Sequence, residues 1–193
     1  LSGPSHAEEV AAGKPTAVVV ASSITGESEL WQEIFSGRLF RVYTSDDVAG
    51  VEIAGALKNV YAIATGMGYA LGIGENTRAM VMARAVREMS KLGEAIGGQR
   101  DTFAGLAGMG DLIVTCTSKR SRNRHVGEEL GSGKSVAEII AGMNQVAEGV
   151  KAASVIMEFA EKYGLHMPIA REVDRVVNHG STVEEAYRGL MAE

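Results

Sequence analysis

Ala17-Val18-Val19-Val20-Ala21 is a short, continuous apolar run rich in β-branched side chains, the pattern of a strand covered on both faces. Between Ser28 and Ser36 the period changes. Leu30, Trp31, Ile34 and Phe35 recur at helical spacing, Glu27 and Glu29 stand near the positive end of the helix dipole, and Gly37 takes the C′ position. Leu39-Phe40-Arg41-Val42-Tyr43 reads as a second strand. Strand, helix and strand within residues 1–45 predict a piece of an α/β sheet. Two such strands cannot bury both faces of a parallel sheet by themselves, so the segment is expected to be the end of a domain whose earlier strands precede residue 1.

From Asp46 onward the pattern is helical and predicts no strand. Asp46-Asp47 place acidic groups where a helix should begin, with helical character to about Thr65, and Asn76 is a cap for a second helix running to Leu92 and stopped by Gly93. Ser135-Val136-Ala137-Glu138 and Thr182-Val183-Glu184-Glu185 match the capping box, in which hydroxyl and carboxylate satisfy otherwise unpaired backbone N–H groups. The stretch Glu148 to Tyr163 is closed by Gly164, and Pro168 opens a helix ending near His179-Gly180. The predicted fold is therefore mainly α, with an N-terminal α/β segment at 1–45 and an all-helical C-terminal domain at 46–193.

Composition narrows the function classes. The longest uncharged run, between Lys58 and Glu75, is broken by glycines and lacks the apolar length of a membrane span, so no membrane insertion is expected. One cysteine cannot form an internal disulfide, the histidines His6, His125, His166 and His179 show no metal-ligand spacing, and no metal is expected. Those histidines read as helix-end or surface residues. A net charge of −5 argues against a nucleic-acid partner. Glycine is the anomaly, with 24 residues against 3 prolines.

Four segments can carry chemistry. Gly3-Pro4-Ser5-His6-Ala7-Glu8-Glu9-Val10 is a turn leading into a helix, offering N–H groups and a hydroxyl to an anion or a cofactor amide; a plain turn capped by Ser5 is the ordinary alternative. Lys58 in Ala56-Leu57-Lys58-Asn59-Val60 has mostly small helical neighbours, Ala54, Gly55, Tyr61 and Ala62, so it can lie under a close-packed element or face solvent. A desolvated lysine exchanges protons near neutrality. Gly105-Leu106-Ala107-Gly108-Met109-Gly110-Asp111 permits tight backbone, but no strand precedes it and its spacing differs from a dinucleotide loop. Asp111 is instead a carboxylate that could be held near Lys58, and Cys116 reads as a packed small side chain. Finally, Ser118-Lys119-Arg120-Ser121-Arg122-Asn123-Arg124-His125 gathers cations in an acidic chain. Ser121 as a helix cap with Arg122 and Asn123 in the first turn would suit phosphate. A solvated turn and a nucleic-acid loop are the rival readings, and no aromatic residues interleave to favour the latter.

Together with Val146-Ala147-Glu148-Gly149, and in this order and separation, these segments resemble the bacterial NAD(P)-dependent glycerol-3-phosphate dehydrogenase family across essentially the whole chain. The resemblance implies a Rossmann-type dinucleotide-binding domain, of which 1–45 would be the last part, followed by a helical substrate domain. It implies a cytoplasmic oxidoreductase, expected as a homodimer, that interconverts sn-glycerol 3-phosphate and dihydroxyacetone phosphate with NAD or NADP and supplies glycerol phosphate for phospholipid synthesis. It implies Lys58 as general acid/base, Asp111 contacting substrate and fixing the lysine, and Ser121, Arg122 and Asn123 holding the phosphate. Arg122 would also face the cofactor, Gly3, Ser5 and Ala7 would line the junction of substrate and cofactor, and Val146 and Glu148 would complete the cofactor side. The family's glycine-rich phosphate loop, ribose-reading strand and a further substrate lysine would fall before residue 1, so the 193-residue chain alone is expected to be inactive. A related hydroxyacid-type dehydrogenase domain, with carboxylate substrates, and a non-catalytic helical dimerisation module are the alternatives.

Overall fold

The computed structural model describes residues 1–143, 145 and 147–192. Helix α1 (Ala7–Ala11), strand β1 (Thr16–Ala21), helix α2 (Glu27–Phe35) and strand β2 (Phe40–Ser45) form the N-terminal segment. The strands pair in parallel, from Thr16 opposite Phe40 to Ala21 opposite Ser45, with α2 as the crossover. β2 runs past Tyr43 because Thr44 and Ser45 continue the ladder opposite Val20 and Ala21. Val18, Val20 and Val42 bury a small core of their own against Phe40. The apolar stripe of α2 lies largely outside it: Leu30, Trp31, Ile34 and Phe35 stay exposed, Trp31 stacks on Phe35, and Gln32 fixes the helix by donating to the Val42 carbonyl at 2.7 Å. Gly37 is not a left-handed cap; it exchanges hydrogen bonds with Phe40 in the turn into β2.

The remainder is helical, as the pattern predicts: α3 (Val48–Ala70), α4 (Glu75–Ala95), α5 (Arg100–Ala104), a π-helical turn at Leu106–Gly110, α6 (Asp111–Thr117), α7 (Arg122–Gly131), α8 (Val136–Ala141), α9 (Glu148–Lys162), α10 (Pro168–His179) and α11 (Val183–Ala192). Both capping boxes form. Ser135 and Thr182 each accept from the backbone N–H three residues on, while Glu138 and Glu185 reach back to the cap N–H at 2.9 and 3.0 Å.

α3 is the centre of the helical domain, and every residue from Asn59 to Gly68 is buried. A helix apolar on all sides must be surrounded, and burying side chains such as Ile63 and Met67 is worth about 1.5–3 kcal/mol each. α3 therefore continues past Thr65 to Ala70, because Gly66 and Gly68 serve packing instead of ending the helix. α7 crosses α3 at Gly66 and Gly127: a Cβ on Gly66 would overlap the Arg124 carbonyl, and one on Gly127 the Ile63 carbonyl. α4 likewise starts after Gly74 and runs through Gly93, where the Phe103 ring sits on the helix backbone and leaves no room for a side chain. Glu88 joins three helices, its buried carboxylate accepting from Ile169 and Ala170 N–H at the start of α10 and from the Tyr61 hydroxyl. Burial holds that carboxyl above its ordinary range despite these donors.

Asp47 ties the start of α3 to α5. Its carboxylate accepts from Gly50 N–H at 2.8 Å, Gln99 N–H at 2.8 Å and the Thr102 hydroxyl at 2.5 Å. Burial pushes its pKa up, but the three donors outweigh it and leave the carboxyl below the ordinary aspartate value of 3.8. A lowered folded-state pKa contributes stability that is present above that value and is lost as pH falls below it. Asp47→Asn is therefore expected to unfold at lower urea than the native chain at pH 7, by the equivalent of about 1–2 kcal/mol. The gap should close as the pH drops below 3.8; a gap that persists there would remove the ionised carboxylate as its cause.

Candidate active site

Ser2 exchanges backbone hydrogen bonds with Val19 at 2.8 and 2.7 Å, which presses Gly3 (φ +143°) flat against β1 at Val18. Only glycine fits that conformation and that contact. The turn is closed by the Ser5 hydroxyl donating to the Gly3 carbonyl at 3.0 Å, and His6 then opens α1. Opposite this turn, α3 presents Lys58 and Asn59. Asp111 opens α6 immediately after the π-helical turn, and its carboxylate accepts from the Lys58 ammonium. The Asp111 side chain is 6% exposed and that of Lys58 21%, so the pair is largely withdrawn from water. Thr115, one turn along α6, donates to the Asp111 carbonyl at 2.6 Å and stands 3.3 Å from its carboxylate. Cys116 is buried beside it, its thiol pushed up to about 12 by desolvation, which makes it a packed side chain and not a nucleophile.

The third wall is the N-terminus of α7. Ser121 caps it by accepting from Arg124 N–H at 3.2 Å, and Arg122 leans outward to Gln145 at 2.6 Å. Asn123 is buried and committed to the framework: it donates to the Asn59 side-chain oxygen at 2.8 Å and accepts from Gly149 N–H at 2.9 Å. Asn59 in turn donates to Glu148, the first residue of α9, at 3.0 Å. One chain of amides thus locks α3, α7 and α9 together directly behind Lys58.

All three walls open onto a cavity of about 230 Å³. Gly3, Ser5, Lys58 and Asp111 line it, as do Ser121, Arg122, Asn123 and Glu148. Ala7 is exposed at the start of α1 and does not line it, and Val146 lies outside the described residues. Five further residues on the wall, His6, Asn59, Val114, Thr115 and Arg120, are given no site role by motif reasoning. Thr115 carries a signal in its place one turn after Asp111, and Asn59 in its place beside Lys58 on a buried helix.

The sequence models of NAD-dependent glycerol-3-phosphate dehydrogenase match this chain twice, the C-terminal model over residues 47–188 and the N-terminal model over residues 1–27. The chain belongs to that family. A Mycobacterium avium glycerol-3-phosphate dehydrogenase (NAD(P)+) is 70% identical over all 193 residues, and a Mycobacterium bovis relative of the same name is 68% identical. The chain spans 57% of the length of each. The crystal structure of a glycerol-3-phosphate dehydrogenase from Coxiella burnetii superposes with a TM-score of 0.95 at 40% identity, covering all of this chain and 59% of that one. Arg122 brings a guanidinium donor and Glu148 a carboxylate acceptor to the same cavity wall, a pair that fits a carboxamide, which carries both an acceptor and donors. Among the described residues no helix is long and apolar enough to cross a membrane.

Proposed function

We propose that the protein carrying this chain interconverts sn-glycerol 3-phosphate and dihydroxyacetone phosphate with NAD or NADP. The observation that carries this reading is the single small cavity onto which both an ion-paired lysine and the capped N-terminus of α7 open. Residues 1–45 belong in this reading to the dinucleotide-binding domain and 46–193 to the substrate domain. Family membership supports the cofactor class, and the expected homodimer, cytoplasmic location and supply of glycerol phosphate for phospholipid synthesis belong to the same proposal.

In this assignment Ser121, Arg122 and the first-turn N–H groups of α7 hold the phosphate, because a helix N-terminus and a guanidinium fork both favour a doubly charged anion. The C2 oxygen of the three-carbon substrate, on the carbon that changes oxidation state, then meets Lys58. In the reducing direction the ammonium donates its proton to the carbonyl oxygen; in the oxidising direction the neutral amine accepts the carbinol proton. Asp111 keeps the lysine aimed, and Thr115 keeps Asp111 aimed. Arg122 and Glu148 on the cavity wall, and Ala7 outside it at the start of α1, would hold the dinucleotide, which supplies the hydride acceptor or donor when bound.

Calorimetric titration of the chain with sn-glycerol 3-phosphate, glycerol and a three-carbon 3-hydroxycarboxylate tests the reading. Glycerol 3-phosphate alone should bind, and Arg122→Gln should weaken it by about tenfold to a hundredfold, the loss of a charge-assisted hydrogen bond. Preferential binding of the carboxylate would instead assign the domain to a hydroxyacid dehydrogenase.

A further inference from the structure

His6 Nε2 is the one side-chain nitrogen or oxygen among the described residues that is shut off from water and has no hydrogen-bond partner. Such a group costs free energy in the unliganded protein and calls for a partner that arrives later. Its location says which. His6 is part of the cavity wall, and Arg120 of the basic segment ahead of α7 lines the same cavity. Glu9, whose N–H bonds back to the His6 carbonyl at 3.0 Å, is ion-paired with Arg120 at 3.1 Å, which clamps the first turn of α1 against the residue preceding Ser121. Lys58 and Asp111 already answer each other at the carbinol end of the cavity. The Glu9–Arg120 pair sets the His6 turn beside the N-terminus of α7, where the proposed function seats the phosphate.

We propose that His6 Nε2 donates a hydrogen bond to a phosphate oxygen of the bound substrate, as an arm of the phosphate grip contributed from the N-terminal segment. Reaching that oxygen requires the ring to turn about χ2, a soft torsion, because Nε2 is shut off from solvent in the unliganded protein. The grip then draws on both parts of the chain: Ser121 and Arg122 from the helical side, His6 from the turn beneath β1. The inference rests on the phosphate-substrate reading above and adds a residue to it.

The test uses a dehydrogenase of the relatives' full length that carries this chain, with His6→Leu and His6→Gln, titrated with sn-glycerol 3-phosphate and with inorganic phosphate, alongside thermal unfolding without ligand. His6→Leu should bind both ligands about tenfold more weakly, as expected for a lost hydrogen bond to a charged group, yet unfold no earlier than the native chain because an unpaired polar atom has been removed. His6→Gln, which keeps an N–H at similar reach, should recover most of the affinity. In the native chain, the ¹⁵N resonance of His6 Nε2 should move on addition of inorganic phosphate. If the native chain binds glycerol 3-phosphate and His6→Leu binds it equally well, the role of His6 is overturned while the phosphate reading stands. If both variants lose stability and affinity together, His6 is a structural residue and the proposal also falls. If the native chain binds neither ligand, it is the phosphate reading itself that is lost.

Discussion

Replacing Lys58 with alanine should slow turnover of dihydroxyacetone phosphate by about 10²- to 10⁴-fold, the usual worth of a positioned proton donor. The measurement belongs in a dehydrogenase of the relatives' full length that carries this chain. KM should change far less than kcat, because the proposed reading holds the phosphate at α7 and not at the lysine. The fold should survive: Lys58 is at the edge of the buried stretch of α3, and its loss leaves the domain core untouched. Asp111 does lose its cation, keeping only Thr115 nearby, so a drop in stability of about 1–3 kcal/mol is expected as well. Small primary amines added to the Lys58→Ala enzyme should restore part of the rate by entering the vacated space. Near-normal kcat would take Lys58 out of the mechanism, and a large rise in KM with intact kcat would make it a binding residue.

The second large effect concerns a residue with no functional group. Gly66→Ala should cost about 3 kcal/mol or more of unfolding free energy, at the upper end for an overpacked site. Helix propensity alone predicts the opposite, a gain of up to about 1 kcal/mol for alanine over glycine. Packing decides the sign, because the new methyl would overlap the Arg124 carbonyl, a backbone atom with no rotamer to escape into. To make room α7 must move, and Arg122 moves with it relative to Lys58. Affinity for glycerol 3-phosphate should therefore fall together with the urea midpoint. A Gly66→Ala protein of native stability would show that the two helices do not approach as closely as described.

Where local chemistry is self-contained, the sequence reveals it: the boxes at Ser135 and Thr182 need only residues three apart, and Pro168 and Gly164 act within one turn. Gly93 shows the limit. A glycine that ends a helix and one that admits a neighbouring ring look alike until Phe103 is brought alongside. The α2 stripe fails for the same reason, since helical spacing says which face is apolar but not what meets it. The site follows this division. The motifs place Lys58, Asp111 and Ser121 in the chain, and only folding puts them around one cavity. Asn59 and Asn123 escape because an amide becomes structural only through its partner: Asn59 finds one 64 residues away on α7 and another 89 residues away on α9. His6 reads as a helix-end residue and is one; that it also lines the cavity depends on the Ser2–Val19 pairing that folds the turn back over β1.

The amide chain running from Asn123 through Asn59 to Glu148, together with the glycine crossing of α3 and α7, gives the cavity the character of a gauge. In the proposed reading the proton donor and the anion grip hang from helices tied together by these contacts, so the span between them is set before any ligand arrives. In the proposed reading, a ligand whose phosphate and reacting oxygen are spaced differently from those of glycerol 3-phosphate meets one group and not the other. Length selection of this kind needs no residue dedicated to rejecting the wrong molecule.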